Sequence, residues 1–402
     1  MAKATKRTWT TSRGEKRQAW QVDFTDANGD RQRKQFAKKA DADAFRVEIE
    51  GQLRAGTFRT GAGKITVKQI CDSYLDYAKG RMERKERFTR AHFEAVRGHI
   101  WNYICPDPQW RDGRGKTKVT PFTDGITNVK LAQLSRKRVI ALRDRLRRAG
   151  LSVVTTRKVL TNLHAILEYA IGEDAVASNA AHGVKVIGTR DEGSKKVIPP
   201  PKAAMKALIG VADPDFRVKL VVAASAAPRA GELHALRWRH FDFAAAEITI
   251  ETRVDAYHDE DVTKTAAGMR TVPIGAKVIS ELKKWRLRTK FAKPDDLVFP
   301  NKKGGYVGHT NMVKRKFKPL FDLLDELHAE EPKKYPRVKR FNWHALRHYG
   351  ISIWIEADLR PKTVQTFAGH ASLQVTMDRY GHLFKSDDHK RVMDAIAKTL
   401  LS

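Results

Sequence analysis

Tyr380, in the stretch TMDRYGHLF, is a residue whose chemistry depends on its neighbours. A phenol with an ordinary pKa of about 10 is a poor nucleophile at neutral pH, so it reacts only where cations surround its target. Such groups recur through the second half of the sequence. Arg229, in AAPRAGELHALRW, stands where a turn runs into an amphipathic helix and can present its planar fork to a phosphate. Lys264, in VTKTAAGMRTVPI, ends a strand before an AAG turn, and its long stem could carry an acid to a leaving oxygen. His344 and Arg347, in NWHALRHYG, share one face of a helix, with His348 about 100° round from that face and Tyr349 further still. His370 follows Gly369 in TFAGHASLQVTMDRYGHLF, and the intervening SLQVTMDRY can turn through a short helix that brings Tyr380 back toward it. Singly, each has a plainer reading: Arg229 pairs with Glu232, Lys264 faces solvent, and His370 caps a helix.

The elements that must position these groups are legible in outline. Ile248, Ile250 and Thr252 alternate in EITIETRV, and GMRTVPI, with Val272 and Ile274, reads as the returning strand of a small antiparallel sheet among helices. The tail KSDDHKRVMDAIAKTLLS reads as a helix capped by Asp387 or Asp388, with Val392, Met393, Ile396 and Leu400 at helical spacing. Upstream, GTRDEGSKKVIPPPKAA breaks any helix and marks an exposed linker over 188–204, so the domain with these groups runs 205–402. Residues 65–187 are helical: Val67, Ile70, Tyr74 and Leu75 form one stripe, and Val159, Leu160, Leu163, Ile166 and Leu167 another. Their prolines and glycines make residues 105–127 a long loop or small hairpin, and Leu142 and Leu146 belong to the core beneath an arginine face. Residues 1–60 form a separate unit in which Trp20, Val22 and Phe24 alternate, DANGD turns, and RQRKQF returns as a basic strand before a helix. That helix has Asp41 or Asp43 near its start and Gly56 beyond its end.

With 402 residues, two or three domains are expected. Lys and Arg number 77 against 46 Asp and Glu, a net charge of +31. Solubility asks for only about 2 to 8 charges in a small domain, so the excess points to a polyanion, and nucleic acid is the favoured partner. The first twenty residues lack a signal-peptide core and the longest apolar run, LVVAASAAP, is too short to span a bilayer, so a soluble, intracellular protein is expected. Cys71 and Cys105 lack metal-ligand spacing and read as ordinary residues of a reducing compartment. No GxxxxGK[ST] loop occurs.

Taken in order, PRAGELHALRW, TKT with RTVPI, HALRH, and AGH followed by RYGH resemble the boxes of the tyrosine recombinases, the phage-integrase group of site-specific recombinases. The likeness is strongest over roughly 190–385, and Pro228 departs from it where a larger apolar residue is common before the first arginine. It implies an all-α core DNA-binding domain over 65–187, a mainly α catalytic domain with a small antiparallel sheet, and at 1–60 a small α+β arm-type DNA-binding domain, a hairpin or three-stranded sheet plus helix.

The resemblance further implies that Tyr380 attacks a DNA phosphodiester, forming a 3′-phosphotyrosyl bond and freeing a 5′-hydroxyl. Arg229, Arg347 and His370 would hold the nonbridging oxygens and Lys264 would protonate the leaving oxygen. His344 would serve the proton traffic at Tyr380 or orient the phosphate. No metal and no nucleotide cofactor is implied. The implied partners are double-stranded attachment sites, a homotetramer across two duplexes with the C-terminal helix docked on a neighbour, a DNA-bending host protein and a directionality factor, all in a bacterial cytoplasm. Rival readings are a type IB topoisomerase-like relaxing enzyme, a non-catalytic DNA-binding relative, and a basic RNA-binding protein. The boxed order and the separate basic N-terminal unit favour the recombinase.

Overall fold

The computed structural model describes residues 2–26, 29–56, 58–59, 63–86, 88–110, 122–189, 192, 196–262, 268–384 and 389–401, with side chains at the last helix from 393 onward. The chain divides into two compact units, Met1–Gly193 and Ser194–Ser402. Among the described residues no helix is long and apolar enough to cross a membrane.

The first unit opens with an antiparallel sheet of β1 (Lys3–Thr10), β2 (Lys16–Thr25) and β3 (Arg31–Phe36) in that order. The alternation of β2 sorts its two faces. Val22 and Phe24 point into a core with Ala42 and Ile49 of α1 (Lys39–Arg54), joined by Phe45 and Phe58. Gln21 and Asp23 point to the other face. There Arg7 donates to Gln21 at 3.2 Å, Gln21 donates to Asp23 at 2.9 Å, and Arg33 pairs with Asp23 at 3.2 Å. Of the two expected forms, hairpin or three-stranded sheet, the second is present, and Asp41 stands in the first turn of α1 as expected. Gly56 takes a positive φ just past the helix, where a side chain would strain the backbone.

The helical part comprises α2 (Val67–Glu83), α3 (Arg90–His99), α4 (Arg136–Arg148) and α5 (Val153–Gly172), with a π turn carrying α3 on through Ile104. Thr66, Thr89 and Ser152 cap α2, α3 and α5 by accepting backbone N–H bonds. The stripes expected from sequence are buried: Ile70 and Cys71 meet Leu142, Leu146, Leu163 and Ile166 in one core. That core also brings the sulfurs of Cys71 and Cys105 to 4.0 Å, a pairing invisible in their spacing. Much of the 105–127 loop, residues 111–121, lies outside the described residues.

The second unit begins with α6 (Lys202–Val211), α7 (Pro214–Ser225) and α8 (Ala230–Ala235). A three-stranded antiparallel sheet follows, ordered β4 (Phe241–Asp242), β5 (Glu247–Ile250) and β8 (Arg270–Pro273), with Ile248 opposite Val272. Here the structure corrects one reading. EITIETRV is not a single strand: the chain breaks after Ile250, and β6 (Thr252–Val254) pairs instead with β7 (Glu260–Val262). The Asp255 carboxylate accepts from the backbone of Tyr257 and Asp259, a local turn that returns the chain before it reaches Arg270. The rest is helical: α9 (Ala276–Arg288), α10 (His309–Met312), α11 (Pro319–Glu330), α12 (His344–Glu356), α13 (Pro361–Ala368), α14 (Leu373–Tyr380) and α15 (His389–Leu401).

The main core gathers Leu208, Val222, Leu233, Trp238, Ile248, Val272 and Phe317. A smaller cluster of Ala227, Ile351, Ile355, Val364, Ala368 and Tyr380 joins α12, α13 and α14. Close approach of α12 to α7 depends on Gly350, where a Cβ would stand 2.4 Å from the Ala224 carbonyl oxygen. That contact fixes the depth at which Arg347, one turn earlier, enters the protein. The tail expectation holds for the helix itself, while the proposed caps Asp387 and Asp388 and the side chain of Val392 fall outside the described residues. Met393, Ile396 and Leu400 are exposed.

Candidate active site

The last turn of α13 organises the site. A helix ends with carbonyls that have no partner within it. Here three consecutive ones are met by three guanidiniums: Arg270 Nε donates to the Phe367 oxygen at 2.8 Å, Arg347 Nη2 to that of Ala368 at 2.5 Å, and Arg229 Nη2 to that of Gly369 at 2.9 Å. Positive groups at a helix C-terminus are also favoured by its dipole. Gly369 takes φ of 61°, which turns the chain sharply and delivers His370 beside the arginines.

Glu232 holds two of the arginines. Its carboxylate accepts from the backbone N–H of Arg229 at 2.7 Å, from Arg229 Nη1 at 2.7 Å and from Arg270 Nη2 at 2.7 Å. Burial opposes its charge, yet the hydrogen bond and charge of Arg270, with Arg229 beside them, bring its pKa down to about 2. Gly231 lets this turn press against β6, since a Cβ there would sit 2.5 Å from the Val254 oxygen.

Arg347 is buried, whereas the Arg229 side chain keeps 45% of its area exposed. Arg347 Nη1 donates to the Ala227 oxygen at 2.6 Å, from a non-glycine residue at φ of 46° just before Pro228. Burial and the nearby Arg229 lower the Arg347 guanidinium to about 9, which leaves it cationic at neutral pH. Two of its five N–H donors are committed to carbonyls. The remainder, with the open side of Arg229, can receive an oxyanion.

Tyr380 ends α14, the short helix expected of SLQVTMDRY, and its ring is buried. Its hydroxyl lies 2.6 Å from Nδ1 of His348, a hydrogen bond. The ring lies nearly parallel to that of His370, with centroids 6.2 Å apart, and Nδ1 of His370 is 2.9 Å from the Thr376 hydroxyl. Burial raises the phenol to about 12 against the pull of Arg347 and Arg379. Burial, then Arg347 and Arg229, lowers His370 to about 3; burial, then His344 and Arg379, lowers His348 to about 4. Both imidazoles are therefore neutral at pH 7. His344 meets His348 edge to face at 4.6 Å, and partial withdrawal from water, then Arg347 and Arg379, lowers it too.

Of the residues singled out in the sequence, Arg229, His344, Arg347, His370 and Tyr380 come together here, and Lys264 lies outside the described residues. Sequence reasoning passed over Arg270 and set His348 aside. A signal for Arg270 existed: in RTVP it shares the inward parity of Val272. His348 had none, because its contact depends on where α14 lies against α12.

Residues 203–387 match the model of the phage integrase family. A XerC-like tyrosine recombinase of Caldanaerobacter subterraneus is 24% identical over 89% of this chain and 90% of its own length. The ICEBs1 integrase of Bacillus subtilis is 23% identical over 65% of this chain and 71% of its own. Among solved structures, the Tn1549 transposon integrase in complex with a circular intermediate DNA aligns with a TM-score of 0.59 at 17% identity, covering 81% of this chain and 99% of that one. A lambda integrase dimer bound to a core site aligns at 0.54 and 12% identity over 95% of this chain and 97% of that one. Fold, site and relatives define a DNA strand-exchange enzyme of the tyrosine type. Residues 203–387 belong to the phage integrase family, and the relatives support a tyrosine recombinase.

Proposed function

We propose that this protein is a site-specific DNA recombinase that cuts and rejoins duplex DNA through a 3′-phosphotyrosyl bond to Tyr380, integrating or excising a mobile element. The observation that carries this reading is the gathering of Arg229, Arg347, His370 and Tyr380 around the end of α13. Arg229 and Arg347 hold the nonbridging oxygens of the phosphate as charge builds on them, and His370 adds a neutral N–H donor. Lys264 protonates the leaving 5′-oxygen. The covalent intermediate conserves the phosphodiester bond, so rejoining needs no nucleotide.

DNA attachment sites and a tetramer across two duplexes are part of the same reading, as are a bacterial cytoplasm, a bending host protein and a directionality factor. The charge of +31 supports nucleic acid as the partner. The helical segment is proposed to clasp the core site. The small N-terminal sheet is proposed to bind arm-type sites through the face bearing Arg7, Arg31 and Arg33. Relatives named as integrases and XerC favour recombination over relaxation of supercoils.

A nicked duplex tests the reading, since loss of the short fragment beyond the nick traps any covalent adduct. The probe is taken from a pool of nicked duplexes with randomised cores, by recovering those that the wild-type chain traps. Tyr380→Phe is expected to abolish the adduct and keep salt-sensitive binding; an adduct with that variant would refute Tyr380 as nucleophile.

A further inference from the structure

We infer that His348, rather than His344, accepts the phenolic proton when Tyr380 attacks phosphorus; this rests on the recombinase reading above. Among the described residues, His348 is the hydrogen-bond partner of the Tyr380 hydroxyl, through Nδ1 at 2.6 Å. A base must reach the proton it removes, within about 2.6–3.2 Å, and this one already does. His344 instead packs edge to face on the His348 ring at 4.6 Å. It stands one helical turn before His348 on α12.

The role of His348 as acceptor also requires one tautomer. Nδ1 can accept only if it carries no proton, so the neutral ring bears its hydrogen on Nε2. The charged and titratable groups facing His348 are His344 and Arg347 on α12 and Arg379 and Tyr380 on α14, and among the described residues no carboxylate counters them. Together with burial they keep the imidazole neutral and ready to accept at pH 7. An arriving phosphodiester reverses the local sign, because its negative charge between Arg229 and Arg347 favours an imidazolium nearby.

In the step itself the Tyr380 oxygen–phosphorus bond forms and the phosphorus–5′-oxygen bond breaks. The phenolic proton passes to Nδ1 of His348, and the leaving oxygen takes its proton from a separate donor, which the reading above assigns to Lys264. In rejoining, the 5′-hydroxyl attacks phosphorus and gives its proton back to that donor, the phosphorus–Tyr380 oxygen bond breaks, and His348 returns its proton to the departing phenolate. No oxidant, metal or nucleotide enters the balance.

The experiment compares wild type, His348→Ala, His348→Asn and His344→Asn on the trapped nicked duplex, reading single-turnover adduct formation against pH and DNA affinity in parallel. His348→Ala should bind DNA as wild type does and form adduct about 10²–10⁴-fold more slowly. With no internal base, its rate should climb about tenfold per pH unit as phenolate accumulates, where wild type is flat near neutrality. Added imidazole should restore part of the rate, which a damaged fold would not permit. Asn offers an acceptor near the place of Nδ1 but cannot take up a proton, so His348→Asn should remain as slow. A wild-type rate in either His348 variant would overturn the inference, and so would a steep pH slope in His344→Asn with none in His348→Ala. If wild type forms no adduct, or Tyr380→Phe does, the recombinase reading itself fails.

Discussion

Arg270 and Glu232 face each other through hydrogen bonds of 2.7 and 3.3 Å, with 1% and 3% of their side chains exposed. The pair joins β8 to α8, and Glu232 passes the link to Arg229. Removing one charge of a buried pair leaves the other uncompensated, at a cost of roughly 3–5 kcal/mol. Glu232→Gln should therefore lower the unfolding midpoint at neutral pH and slow adduct formation. The folded pKa of Glu232 is about 2, below its ordinary value, so the stability it contributes is complete above about 4.5 and is lost as pH falls toward 2. Thermal denaturation followed between pH 2 and 7 checks this: the variant should show a shallower acid loss than wild type. Parallel curves would contradict it.

Arg347 spans the Ala227 and Ala368 oxygens at 2.6 and 2.5 Å and still has donors to spare. A lysine has the charge but not the planar fork, so it cannot bridge both carbonyls and hold an oxyanion as well. Arg347→Lys should reduce adduct formation about 10²–10³-fold while leaving DNA affinity close to wild type. A loss of binding equal to the loss of rate would instead make Arg347 an anchor for DNA.

Lys219 is buried in α7, with its ammonium 3.1 Å from Nδ1 of His234, which in turn lies 3.2 Å from His309. Burial lowers Lys219 to about 7, and no carboxylate pairs with it among the described residues. The unfolded lysine stays protonated to about 10.5, so the unfolded state binds the extra proton between those values and stability rises with pH from about 7 to 10.5. At pH 7 the difference amounts to roughly 4 kcal/mol, more than the roughly 1–3 kcal/mol of leaving His234 Nδ1 without its donor. Lys219→Met should raise the unfolding midpoint at pH 7, and the gain should shrink toward pH 10. Destabilisation at pH 7 would show that the basic chain stabilises the core.

Met393, Ile396 and Leu400 of α15 are 62%, 46% and 79% exposed. An apolar stripe left exposed on a helix suits a neighbouring subunit. Deleting residues 386–402 should leave binding to a single site unchanged and reduce assembly of a tetramer on two duplexes, measured by light scattering and by recombination of paired sites. Equal recombination by the truncated chain would refute docking between subunits.

Much of the site was legible because it is written in local motifs. The three-residue spacing puts His344 and Arg347 on neighbouring positions of α12 whatever surrounds the helix, and Gly369 before His370 signals a turn. The stripes of α2 and α5 and the pairing of β5 with β8 follow from period alone. The order of the boxes already named the chemistry. What the sequence left open was every contact between distant segments: Arg270 on Glu232, three arginines on three consecutive carbonyls, and Tyr380 on His348 rather than His344. Such bonds require donors and acceptors to meet within about 3 Å, and that distance is decided by how deeply α12 packs on α7 and where α14 ends against it. Periodicity says which face a side chain occupies. Only the packed tertiary structure determined which histidine nitrogen meets the hydroxyl of Tyr380.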